Sequence, residues 1–204
     1  MTKKENVKTV FFNESAIHLS ENSDIEIKNS IFIRSRSDMH RYLDRYFKND
    51  TAEDTLLVGS NLDELMDDFV SWFKYVETAG GIVKSEGEAF LLIRRFDVWD
   101  LPKGRLKKGE KPEEGAKREV TEETAVEDLE LVKSLPSTYH IYLLDNKYIL
   151  KKTNWYMMET DFEGNLQPQI EEDITDVKWM KREDALQALK NSYRSIRDVL
   201  LPLI

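Results

Sequence analysis

Glu119, Glu122 and Glu123 stand three and four residues apart, the spacing that puts side chains on one face of a helix. At 3.6 residues per turn they share an arc of about 100°. Each like-charge pair costs a few tenths of a kcal/mol, so helix stability does not account for the trio. A bound divalent cation does, because magnesium and calcium prefer hard oxygen ligands. The helix is legible as well. Pro112 suits a first turn, where a missing N–H loses no bond, and Glu113 and Glu114 meet the positive end of the helix dipole. The pattern predicts a helix from there to about Thr124. Just ahead of it, Arg94, Arg95, Lys103, Arg105, Lys107, Lys108 and Lys111 cluster in a chain whose overall charge is −9. Basic groups beside carboxylates suit an anionic substrate that arrives with a metal; some of them are read equally well as ordinary surface charge.

The whole stretch 104–126 reads GRLKKGEKPEEGAKREVTEETAV, with Gly104, Glu110, Arg118, Glu119, Val120, Glu122, Glu123 and Val126 at fixed intervals. It resembles the box of the Nudix (MutT-like) hydrolases, Gly-x5-Glu-x7-Arg-Glu-U-x-Glu-Glu-x-Gly-U with U aliphatic. Only the last glycine departs, as Ala125. At average residue usage a chance match is about a one-in-10⁸ event per starting position, which sets aside the alternative of a merely solvated acidic helix. The family's glycine suits a helix exit in a conformation that glycine tolerates best, so Ala125 bears on that exit and not on a ligand.

The resemblance implies hydrolysis of a nucleoside diphosphate linked to another group, X, by attack of water on phosphorus, with Mg2+ as cofactor and Mn2+ as a substitute. It implies Glu119, Glu122, Glu123 and the Gly104 carbonyl as metal ligands. Arg118 holds the carboxylates through a bidentate pair that lysine could not make equally well, and Glu110 supports the loop. The general base is either a box glutamate or a later carboxylate; Glu171, Glu172 and Asp173 form the suitably late acidic group, and Glu172 is the candidate from it. A solvated turn is the other reading of that group. Arg94, Lys103, His140 and Lys152 are candidates for substrate phosphates, and Trp99 or Tyr142 for stacking on a base. The runs at 139–142 and 151–156 resemble the branch acting on dinucleoside polyphosphates, although strand packing explains them as well. ADP-ribose or nucleotide-sugar hydrolysis, and a nucleotide-binding sensor without chemistry, stand as competing readings.

With 204 residues, 40% hydrophobic and 10% aromatic, the chain has the composition of a folded protein. It has no cysteine, which excludes disulfides and thiolate metal sites, and its three histidines, His18, His40 and His140, lack the paired spacing of a zinc helix. The acidic balance disfavours nucleic acid or a membrane surface as the main partner. No apolar run approaches the roughly 20 residues of a membrane span. The polar start lacks the apolar centre of a signal peptide, so a cytoplasmic location is expected.

Residues 76–204 read as strands, helix, strands and helices, consistent with the α/β/α sandwich and mixed sheet that the resemblance implies. Strands are expected at 79–83, 89–94, 129–144, 148–160 and 177–180, with a loop at 167–173 and helices at 182–189 and 192–200. Residues 1–75 read as a separate small α/β unit. After a frayed 1–6, a hairpin is expected at 7–12 and 16–19, and a strand pair around Lys28-Asn29 from the alternation of Ile25, Ile27, Ile31 and Ile33. A helix capped by Ser37 runs to about Phe47, a strand covers 55–58, and a helix capped by Asn61 carries Leu62, Leu65, Met66, Phe69, Val70 and Phe73 on one face. Substrate recognition, a homodimer contact, or cover for the sheet are the roles open to that unit.

Overall fold

The computed structural model describes residues 7–48 and 53–204; the fraying expected of residues 1–6 lies outside them. The chain divides into two compact units, Met1–Val76 with Tyr139–Lys151, and Glu77–Thr138 with Lys152–Ile204. The segment 139–151 is the tip of a long hairpin, and its Ile141 and Leu150 lie in the first unit's core. A single cut between 75 and 76 therefore leaves out a piece of the first unit that arrives late in sequence.

The first unit is small and mixed. Strands β1 (Val7–Phe12) and β2 (Ser15–Ser20) form the expected hairpin, with Asn13 at φ 53° in the turn. β3 (Asn29–Phe32) and β4 (Thr55–Val58) extend it, both pairs parallel. The strand pair expected around Lys28-Asn29 is absent: residues 25–28 are irregular, and β3 finds its partner in β4. Helix α1 (Arg36–Tyr46) is capped by Ser35 instead of Ser37, because Ser35 is the extended residue whose hydroxyl accepts from the Asp38 N–H. Helix α2 (Leu62–Val70) is capped by Asn61 as expected, and Phe73 lies past its end although its ring still enters the core.

The second unit carries β5 (Lys74–Ser85, beginning three residues before the unit boundary), β6 (Phe90–Arg95), β7 (Val98–Asp100), β8 (Lys103–Arg105), helix α3 (Pro112–Thr124), β9 (Glu130–Leu144), β10 (Lys147–Thr160), β11 (Ile174–Met180), α4 (Arg182–Ala188) and α5 (Arg194–Leu200). Its strands run in the order β11-β6-β5-β10-β9, with β7 on β6 and β8 on β5. Period-two alternation divides the apolar residues between two faces. Ala79, Val83, Leu91 and Ile93 pack with Ala116 and Val120 of α3. Ile82, Phe90 and Leu92 pack with Ala185, Leu189, Ile196, Val199 and Leu200 of the C-terminal helices. The expected α/β/α sandwich follows from that division.

Four strands exceed their sequence reading. β5 starts at Lys74 and β11 at Ile174, and 98–105, read as a plain approach to the box, forms β7 and β8. The loop at 167–173 carries one 3-10 turn, Ile170–Glu172. No helix among the described residues is long and apolar enough to cross a membrane.

Candidate active site

Helix α3 presents the acidic residues. Pro112 opens it with Glu113 and Glu114 in its first turn, and its buried stripe includes Ala116, Glu119, Val120 and Glu123. Two glutamates on a buried stripe are costly unless something compensates their charge. At the far end Ala125 takes the left-handed conformation, φ 63° and ψ 12°, the conformation expected of the glycine it replaces. The Thr121 hydroxyl donates to the Val126 carbonyl at 2.7 Å and the Thr124 hydroxyl to that of Val120 at 2.6 Å, so the helix end is tied down by side chains.

Arg118 organises the carboxylates. Its Nε and Nη2 donate to the two oxygens of Glu110 at 2.7 and 2.8 Å, a bidentate fork. Its Nη1 reaches Glu119 Oε1 at 2.6 Å and Glu122 Oε2 at 2.7 Å, and Nη2 also donates to the Arg105 carbonyl. Lysine has no geometry for five such bonds. The Arg118 bonds, joined by the Lys107 N–H, hold the Glu110 carboxyl down at about 2. Glu110 thus closes the loop 107–110 while anchoring the guanidinium. Glu122, whose slight burial is outweighed by Arg118 and Lys107, also stays below the usual range.

The inner pair behaves oppositely. Burial pushes Glu119 up despite the Arg118 contact. Glu123 is fully buried, and burial raises its carboxyl to about 8, partly offset by the charge and backbone N–H of Lys103. Glu123 Oε2 accepts from that N–H at 3.0 Å, whereas Oε1 is buried with no hydrogen-bond partner. A buried, unmatched carboxylate oxygen is what a cation would satisfy. Gly104, on β8 opposite Ala79, lies against the Glu119 carboxylate so closely that a Cβ there would overlap its oxygens.

Among the described residues no three His, Cys, Asp or Glu side chains are already gathered as a metal-ligand set. Arg118 engages Glu119 and Glu122, and Lys103 engages Glu123. The donors nevertheless fit magnesium: all are oxygens, two of the acids are buried, one oxygen is orphaned, and Gly104 leaves room beside them.

The outlying candidates divide. Glu172 sits on the 3-10 turn, 3.7 Å from the Arg95 guanidinium, and its charge reaches Glu119. The turn is tethered to α3 by the Gln167 N–H on the Thr124 carbonyl, 3.0 Å, and the Gln169 N–H on that of Glu123, 3.3 Å. Arg94 lies 3.3 Å from Asp97. Lys103, read as a phosphate contact, is instead buried, its Nζ 2.6 Å from Asp100 Oδ2 and 3.3 Å from the Leu101 carbonyl. Its charge is spent inside the protein. Lys152 is paired with Glu77 at 3.0 Å. His140, with Tyr142 beside it at 6.4 Å between ring centroids, belongs to the first unit, on the β9 segment paired with β1. Trp155 is buried with its Nε1 donating to Thr138, and Tyr156 is buried in the core. Of the residues that suggested dinucleoside polyphosphates, Lys152, Trp155 and Tyr156 thus have partners inside the protein.

The sequence reading missed Asp100, whose only signal was its place three residues before Lys103, and Gln169, whose side-chain oxygen is buried without a partner.

Comparison with known proteins adds four findings. A family model described as NUDIX domain matches residues 74–200. A Bacillus subtilis (strain 168) protein provisionally named an 8-oxo-dGTP diphosphatase is 50% identical over 52 residues, 24% of this chain and 35% of that protein. An RNA pyrophosphohydrolase of Bartonella clarridgeiae is 31% identical over 70 residues, 30% of this chain and 40% of that one. The chain thus spans less than half the length of these curated relatives. Among solved structures, the E. coli dihydroneopterin triphosphate pyrophosphohydrolase superposes with a TM-score of 0.52 at 18% identity, covering 64% of this chain and 97% of that one. At that identity the likeness is one of fold.

Proposed function

The chain belongs to the Nudix family, and from that premise we propose that it is a magnesium-dependent hydrolase that cleaves a diphosphate linkage in a nucleoside diphosphate-X compound. The observation that carries this reading is the buried Glu123, with one oxygen matched by the Lys103 N–H and the other by nothing. Selection for stability alone would not keep such an acid there, since a carboxylate without partners is costly in a core.

Glu119, Glu122 and Glu123, with the Gly104 carbonyl, are the residues that would hold the cation. When bound, a divalent ion neutralises charge on phosphate oxygens and lowers the pKa of a water. Arg118 keeps Glu119 and Glu122 oriented and at hand through its fixed anchor on Glu110. Glu172 is the base candidate outside the box, close enough to Glu119 to feel its charge and steadied by Arg95. Arg94 and Arg95, at the end of β6, supply positive charge for the phosphates.

Nucleotides are the substrate class favoured by the names of the sequence relatives. Incubation with dinucleoside polyphosphates, ADP-ribose, nucleotide sugars and nucleoside triphosphates, with and without magnesium, tests the reading. Metal-dependent turnover of at least one compound is expected, with severe loss in Glu123→Gln. Turnover of none, or turnover undiminished in that variant, overturns it, and tight binding without turnover favours a sensor.

A further inference from the structure

The turn between β6 and β7 departs from what its backbone favours. Its two residues, Phe96 and Asp97, stand at φ 51° and 61°, as a two-residue hairpin loop of this hand requires. Asn, Asp and Gly occupy such positions most readily, and the β9–β10 turn accordingly uses Asp145 and Asn146. A bulky aromatic at positive φ is an outlier. Burial does not compensate it, because Phe96 is 63% exposed. A ring placed in a strained conformation and left in water is the kind of feature from which function is inferred.

Side chains on both sides also hold the turn. Asn191 Nδ2 donates to the Asp97 carbonyl at 2.8 Å, and Arg94 lies 3.3 Å from the Asp97 carboxylate. Arg95 pairs with Ile174 in the β6–β11 ladder, so the 3-10 turn before Ile174 lies beside it. The Arg95 guanidinium bridges two groups, 3.7 Å from Glu172 and 5.2 Å from the Phe96 ring centroid. Its Nε is buried without a partner. An unbroken series of contacts thus runs from the Glu123 backbone through Gln169 and Glu172 to Arg95 and the exposed ring.

We propose that Phe96 and Arg95 form the subsite for the nucleobase, the base stacking on the Phe96 ring while the Arg95 guanidinium holds that ring in place. The inference rests on the hydrolase reading above and adds where the base goes. Every base has a π-face, so stacking of this kind separates compounds that carry a base from those that do not, and discriminates little among bases. A cation beside the ring suits the same role, because a guanidinium both pairs with phosphate and packs on an aromatic face.

Titration calorimetry of the full chain in magnesium, with ADP and with inorganic tripolyphosphate, tests this. Phe96→Ala should weaken ADP by at least about 5-fold, the lower end for one lost stacking contact, and leave tripolyphosphate unchanged. Phe96→Trp should restore ADP affinity. Phe96→Asn, which suits positive φ, should fold as stably as the wild type and still lose ADP affinity, separating stacking from turn integrity. Unchanged ADP affinity in the Ala and Asn variants, or an equal loss for tripolyphosphate, overturns the subsite. Such a result leaves the hydrolase reading standing if the wild type still turns over a nucleotide. A wild type that binds neither compound and hydrolyses nothing removes both.

Discussion

Replacing Glu123 with glutamine should make the metal-free protein more stable than the wild type at alkaline pH, at the expense of metal binding. Glu123 is fully buried, and burial raises its carboxyl from the ordinary 4.5 to about 8, with the charge and N–H of Lys103 offsetting part of the rise and Asp100 and Glu119 adding to it. Below about pH 4.5 the acid is protonated in both folded and unfolded chains, and its contribution to stability is fully present. As pH rises, the unfolded chain releases the proton first, so stability falls until the folded acid also ionises near 8. At about 1.4 kcal/mol per pH unit, the interval from 4.5 to about 8 gives a ceiling on the order of 5 kcal/mol. Glutamine keeps the acceptor for the Lys103 N–H and, like the protonated acid, carries no charge. Urea unfolding in a chelator, followed by the fluorescence of the four tryptophans, measures the difference from about pH 5 to pH 8. The two proteins should nearly coincide at the acid end and diverge progressively toward the alkaline end. Added magnesium should then stabilise the wild type and leave Glu123→Gln unmoved. Parallel curves across that range would refute the claim that a buried, proton-holding acid limits the empty site's stability.

Ala125→Gly should stabilise the protein by roughly 0.5–1 kcal/mol, because glycine relieves the left-handed strain at φ 63° while adding some freedom to the unfolded chain; a thermal melt reads the shift. Gly104→Ala should cost about 1–3 kcal/mol and abolish magnesium binding in calorimetry, since its Cβ would overlap the Glu119 carboxylate. Lys103→Ala should lower stability by about 3–5 kcal/mol by leaving Asp100 buried without its partner. Were Lys103 a phosphate contact, the change would instead appear as a raised KM in a protein of normal stability.

Much of the acidic site was legible because its order is local. Pro112, the first-turn acids and the i, i+3, i+4 glutamates all act within one helix, so spacing alone determines which side chains share a face. Val7–Phe12 with Ser15–Ser20, and the long hairpin turning at Asp145-Asn146, were legible for the same reason. The strand pair expected from Ile25 to Ile33 was not formed, because alternation shows which side a residue would bury and says nothing of which strand will pair with it; β3 took β4, from across a helix.

What the sequence determined by itself, then, was the local pattern of α3: three acids on one face, an arginine within about a turn of them, and a proline and acids to open the helix. Only the tertiary structure decided which charges stay available. Lys103 and Asp100 are three residues apart on paper and could each have faced water, yet both are buried and cancel one another. Glu172 and Arg95, far apart in sequence, are brought within 3.7 Å by the pairing of β11 with β6. Helical spacing is a property of the backbone that any window of sequence carries. Burial and pairing across the sheet depend on what the rest of the chain packs against a residue, and no window contains that.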